Sequence, residues 1–150
     1  SLKFRDISRA RRLYNHAARL TGKNGNHLYA MGVLDNESSG REAKCEALRV
    51  LLSDLNNTEV VIQCLKYVFE RKEQCFLEEK SVFSWLKEFK GSLAADVLLG
   101  RMYFEGYGVI GNKIRSYEIF VNCADKGSKE AESLLKMYFP KSGYFMFKRR

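Results

Sequence analysis

The sequence predicts an all-α fold: a right-handed superhelical solenoid of antiparallel helix pairs, with no β-sheet. Three observations lead there. Lys90-Gly91 followed by Ala95 recurs as Lys126-Gly127 followed by Ala131, 36 positions on. A period of that size marks helix-pair arrays, in which each pair buries its apolar face against its neighbours. Apolar residues also recur at the three- and four-residue intervals of a helix face, and proline, which breaks helices, occurs once, at Pro140.

The spacing predicts helices near 6–21, 26–35, 41–55, 58–72, 77–90, 93–105, 112–126 and 128–139. In the first, Asp6, Arg9-Ala10, Leu13 and Ala17-Ala18 form the apolar and small-residue pattern of a pair's second helix, and Gly22 to Gly25 is its exit loop. Leu28 to Leu34 begins a new pair, with His27, Met31 and Gly32 where Ala95, Leu99 and Gly100 stand later. The stretch from Arg41 to Lys72 departs from the pattern: it lacks a double-glycine turn and places Lys66-Tyr67 where Leu-Gly is expected. Its two helices turn at Asp54-Leu55-Asn56-Asn57. Glu78-Glu79 suit the first turn of the next helix, where the helix dipole favours acids, and Phe83, Trp85 and Phe89 supply core between repeats.

The segment from Ala95 to Ala131 is the clearest. Ala95, Leu99, Gly100 and Tyr103 share one helix face, small where a second helix must come close. Gly106 and Gly108 follow, where a reversing chain needs positive φ. Asn112 caps the next helix, and Ile114, Tyr117, Phe120, Val121 and Ala124 give it an apolar stripe. Gly127 closes it. Together these residues read Ala-x-x-x-Leu-Gly-x-x-Tyr-x-x-Gly-x-Gly-Val, a cap three residues later, and a closing Lys-Gly-x-x-x-Ala. The motif resembles the Sel-one-like repeat, a relative of the tetratricopeptide repeat. On that resemblance residues 1–139 form about four repeats with a degenerate middle one, followed by a basic-aromatic tail, 140–150.

The net charge of +8 gathers at the two ends. Residues 1–25 hold seven Lys/Arg and one acid, and residues 136–150 hold five and none, leaving the middle net acidic. Basic ends suit an acidic partner, and they equally suit the polar caps a solenoid needs. A nucleic-acid role is a remote alternative, because the cations do not interleave with exposed aromatics along a stripe. No apolar run is long enough for a membrane span. The chain begins with Ser1 on the second helix of a repeat, so upstream residues are expected to be missing; a mature exported form places it in the bacterial periplasm, otherwise the cytoplasm.

Cys45, Cys64, Cys75 and Cys123 make no Cys-x-x-Cys and have no adjacent histidine, so no zinc site is expected. Cys123 reads as a buried thiol. Cys45 and Cys64 lie equidistant from the predicted turn at 54–57. That level permits a disulfide if both point inward in an oxidising compartment, or two small apolar residues in contact. Neither His16 nor His27 has a nucleophile or carboxylate at triad spacing, and Gly106-x-Gly108 follows a helix, whereas a nucleotide loop follows a strand. No catalysis, cofactor or metal is expected.

What remains is recognition by surface. In stacked hairpins the first helices line the concave side, and by register their outward residues include Tyr29 and Val33, Tyr67 and Arg71, then Arg101 and Phe104. Tyr and Arg are the types that anchor interfaces, so Tyr29, Tyr67, Arg71, Arg101 and Phe104 form the expected face for a protein partner. The tail Tyr144-Phe145-Met146-Phe147 either caps the last repeat or adds a docking segment. The resemblance implies a bacterial binder: an adaptor, an immunity-type protein that neutralises a secreted toxin enzyme, or an assembly scaffold for envelope or polysaccharide machinery.

Overall fold

Every element of the computed structural model is a helix or turn among the residues it describes, which are 25–53, 58–89 and 91–143, with 25–28 described in backbone only. The elements are α1 (Gly25–Asp35), α2 (Arg41–Leu52), α3 (Thr58–Glu70), α4 (Glu79–Lys87), α5 (Leu93–Glu105), α6 (Lys113–Asp125) and α7 (Lys129–Tyr138), with a 3₁₀ turn at Lys72–Gln74. The predicted helix at 6–21, the turn at 54–57 and the tail beyond 143 lie outside the described residues. The predicted helices at 41–55 and 77–90 shorten most, to 41–52 and 79–87, and the one predicted at 58–72 ends at Glu70, before Arg71. In α4 the cause is local: Glu78 is extended, and the Glu88 N–H turns back onto the carbonyls of Leu86 and Trp85.

The described residues divide into two units, one up to Cys64 and one from Leu65 onward. In the first, α1 packs on α2. Ala30, Val33 and Leu34 are buried, as are Ala47, Leu48, Leu51 and Leu52, the last four at the spacing of one helix face. Val33 therefore serves the core, not an outward face. Asn36 makes the link between these helices: its Oδ1 accepts from Ser38 N at 2.9 Å, and its carbonyl accepts from Ser39 N, an Asx turn that frees the chain from the helix.

The second unit is built around α5, on which Ala95, Val97, Leu98, Leu99, Gly100 and Met102 are all buried. Gly106 closes α5 in the left-handed region at φ 75°, and its N–H and that of Tyr107 both return to the Met102 carbonyl. Gly108 follows at φ 70°. Asn112 then starts α6, its side chain accepting from Arg115 N at 3.0 Å while its own N–H donates to Tyr103 O at 2.8 Å. α6 runs back along α5, where Ser116 Oγ donates to the buried Gly100 carbonyl at 2.7 Å. α7 follows Gly127 and is capped by Ser128, which accepts from Ala131 N. Val97, Phe120, Cys123, Ala124, Ala131, Leu134 and Leu135 close one core across α5, α6 and α7.

Like ends of alternate helices meet. Phe104, near the end of α5, stacks on Tyr138, the last residue of α7, with centroids 4.2 Å apart and planes 14° off parallel. Glu70, the last residue of α3, accepts from Arg101 of α5 at 3.4 Å, and Phe69 meets Tyr107 edge-on at 5.1 Å. Between α3 and α4 the reversal is not made by glycine. Cys75 takes the left-handed conformation there at φ 51°, a position that costs a side-chain-bearing residue about 1 kcal/mol.

Candidate partner-binding surface

Tyr67 stands in the last turn of α3, and Arg71 is the residue just past its end, its N–H still donating to the Tyr67 carbonyl at 3.2 Å. The Arg71 guanidinium sits 3.8 Å above the Tyr67 ring, and Phe76 tilts against that ring at 6.1 Å. Both Tyr67 and Arg71 are half-buried. Arg101 comes to the same stretch of α3 from α5: it pairs with Glu70 and lies 4.9 Å over the Phe69 ring. With only 18% of its side chain exposed, Arg101 holds the two helices together more than it faces outward, and its enclosed Nε has no hydrogen-bond partner among the described residues. Lys66 completes the cluster by pairing with Glu130 at 3.3 Å and Glu70 at 3.9 Å. The two Lys66 pairs are solvated, so each adds little to stability; with the more enclosed Arg101–Glu70 pair they fix the geometry of the ridge on which Tyr67 and Arg71 stand.

Phe104 lies elsewhere. Besides stacking on Tyr138, it meets Phe139 edge-on at 5.5 Å, and the Lys113 ammonium sits 5.3 Å over its ring. It is part of an aromatic cluster with Tyr117, Phe120, Tyr138 and Phe139. Tyr29 is a half-buried residue of α1, in the other unit. Of the five predicted contact residues, the structure thus brings Tyr67 and Arg71 together, ties Arg101 beside them, and turns Phe104 into the aromatic cluster.

The cysteines are all free thiols, and no disulfide joins Cys45 to Cys64. Cys64 is buried, and desolvation pushes its pKa up to about 12, so it behaves as a small neutral apolar group. Burial also raises the Cys123 thiol, with the nearby Asp96 carboxylate adding to the effect and Lys126 opposing it. Such a thiol is not an activated nucleophile at neutral pH. It borders a recess of about 260 Å³ of mixed lining, with Asp96, Arg115, Glu118 and Asn122 beside Leu99, Tyr103 and Ile119. Among the described residues no group of His, Cys, Asp and Glu has the makings of a metal site, and no helix is long and apolar enough to cross a membrane.

A second surface feature was not legible in the sequence. The first turn of α6 faces the segment that follows α7 across an open groove of about 610 Å³, lined by Ile114, Tyr117, Tyr138, Phe139, Pro140 and the residues around them. Ile114 is 75% exposed. It belongs to the apolar stripe by spacing, yet it borders the groove instead of entering the core. Ile110, in the preceding loop, is 90% exposed.

No protein-family model, curated protein or solved structure matches the chain.

Proposed function

We propose that this chain is a non-catalytic protein-binding module built from Sel-one-like helix pairs stacked as a superhelical array. The glycine-closed reversal between α5 and α6 supports the array reading. So does the meeting of like helix ends, α3 with α5 and α5 with α7, as successive first helices do in such stacks. The observation that carries the function is the Tyr67–Arg71 stack on a ridge already braced by Glu70, Arg101 and Lys66. A tyrosine and an arginine held in place before binding lose little freedom on contact and supply both apolar area and directed hydrogen bonds. The partner on this reading is a protein with an acidic surface; a single toxin-like enzyme makes the chain an immunity-type protein, and several envelope components make it an assembly scaffold.

The test is affinity capture with the full chain, identification of the captured protein, and calorimetry with that purified partner. Tyr67→Ala with Arg71→Ala is expected to weaken binding by about a hundredfold, from about 1–2 kcal/mol per anchor, with the helical spectrum unchanged. Undiminished affinity in a folded double variant overturns the assignment of this ridge.

A further inference from the structure

We infer that the groove between α6 and the segment after α7 binds an apolar peptide carrying acidic residues, as a second contact of the protein partner. The inference rests on the reading of the chain as a protein-binding module and names a separate place on it.

The shape comes first. Tyr117 and Phe139 meet edge-on at 5.2 Å and form one wall with Tyr138, while Ile114 stands at the rim. At about 610 Å³ the groove has the volume of a ligand site but stays open to solvent, and it admits a few side chains of an extended or helical segment. Its walls are aromatic rings already packed on one another: Tyr138 on Phe104, Phe139 on Tyr117 and Phe104. A groove backed in this way keeps its shape without a ligand, which lowers the cost of binding.

Charge then selects the occupant. Lys113 and Lys141 line the groove, and among the described residues no carboxylate does. Lys113 is drawn toward the Phe104 ring and has no carboxylate beside it in the groove wall. Two cations beside apolar walls favour a segment whose large apolar side chains enter while its Asp or Glu residues face the lysines. An anionic lipid surface shares that charge, but a recess between two chain segments receives inserted side chains better than it meets a flat bilayer.

The experiment is selection of a random peptide library displayed on phage against the full immobilised chain, followed by fluorescence anisotropy of the enriched peptide. Enrichment of peptides combining Trp, Phe or Leu with Asp or Glu is expected. Ile114→Asp should weaken the selected peptide at least tenfold, and Lys113→Glu with Lys141→Glu should do so at low salt, with a smaller difference at high salt. Ile114 and both lysines are exposed, so these variants are expected to fold, which circular dichroism verifies. Three results overturn the inference: enrichment of basic peptides, binding indifferent to Ile114→Asp, or binding of phosphatidylserine vesicles that the selected peptide does not compete. A captured partner sensitive to Arg71→Ala but indifferent to Ile114→Asp removes the groove and leaves the module reading standing. The absence of any partner sensitive to either removes both.

Discussion

Replacing Gly108 with alanine tests how the reversal after α5 is built. Two costs combine. At φ 70° an L side chain is disfavoured by about 1 kcal/mol. The new Cβ would also come within 2.9 Å of the Glu79 carbonyl carbon and of Phe83 Cβ, and would collide with the Glu79 carbonyl oxygen. Those are backbone and near-backbone atoms, so the start of α4 must shift, at a cost of about 1–3 kcal/mol for an overpacked contact. The shift also weakens the bond from Gly108 N to Glu79 Oε2, now 3.3 Å. The total is about 3 kcal/mol. Gly127 provides the control: its φ is 102°, but a Cβ there meets nothing within 4 Å, so Gly127→Ala carries the conformational cost alone, about 1–2 kcal/mol. Urea unfolding followed by circular dichroism should separate the two variants by about 1–2 kcal/mol. Equal losses would mean that α4 does not press on residue 108, and the close approach argued from Glu79 and Phe83 would be wrong.

Two further outcomes follow from the packing. Phe104→Ala should destabilise the fold by about 2–3 kcal/mol, because it removes a half-buried ring together with its stacking on Tyr138; a melting temperature equal to the parent's would return Phe104 to the outward face. Cys64 makes stability fall with pH in a definite window. The unfolded thiol releases its proton near 9.0 and the folded one near 12, so between those values the unfolded chain holds fewer protons, and Cys64 removes about 1.4 kcal/mol per pH unit. Below that window it contributes no slope. Unfolding at pH 8 and at pH 10 should therefore show a smaller loss in Cys64→Ala than in the parent, and parallel losses would contradict the burial of this thiol.

The α5–α6 hairpin was legible to the residue because its limits are written in backbone chemistry. Gly106 takes the left-handed cap and Asn112 the N-cap, and both leave signals that need no knowledge of neighbours. The reversal between α3 and α4 left none: Cys75 adopts a conformation its side chain does not advertise. The candidate surface divides in the same way. Tyr67 and Arg71 are four apart across the end of α3, so the local chain already brings them near each other. Phe104 has the same local spacing as an outward residue, and only the arrival of Tyr138 from α7 turns it into a cluster. Ile114 is the converse case, an apolar stripe residue whose neighbours leave it open. Periodicity says which residues share a face; it does not say what lies opposite.

Where α5 passes α6 at Gly100, a Cβ on residue 100 would fall 2.6 Å from Phe120 Cε1 and 3.2 Å from Ile119 Cγ2. Phe120 is completely buried, and in a close-packed interior its ring moves only at the expense of its neighbours. The residue choices at 100 and 120 are therefore not independent. A methyl group at 100 is admitted only when the ring at 120 is exchanged for something smaller, and a smaller residue at 120 leaves a void unless position 100 grows. Ser116 binds the pair more tightly, since its hydroxyl spans to the Gly100 carbonyl across the same gap and keeps its reach only while the two helices stay this close. As this chain drifts through sequence variants, the glycine and the phenylalanine change together or stay as they are.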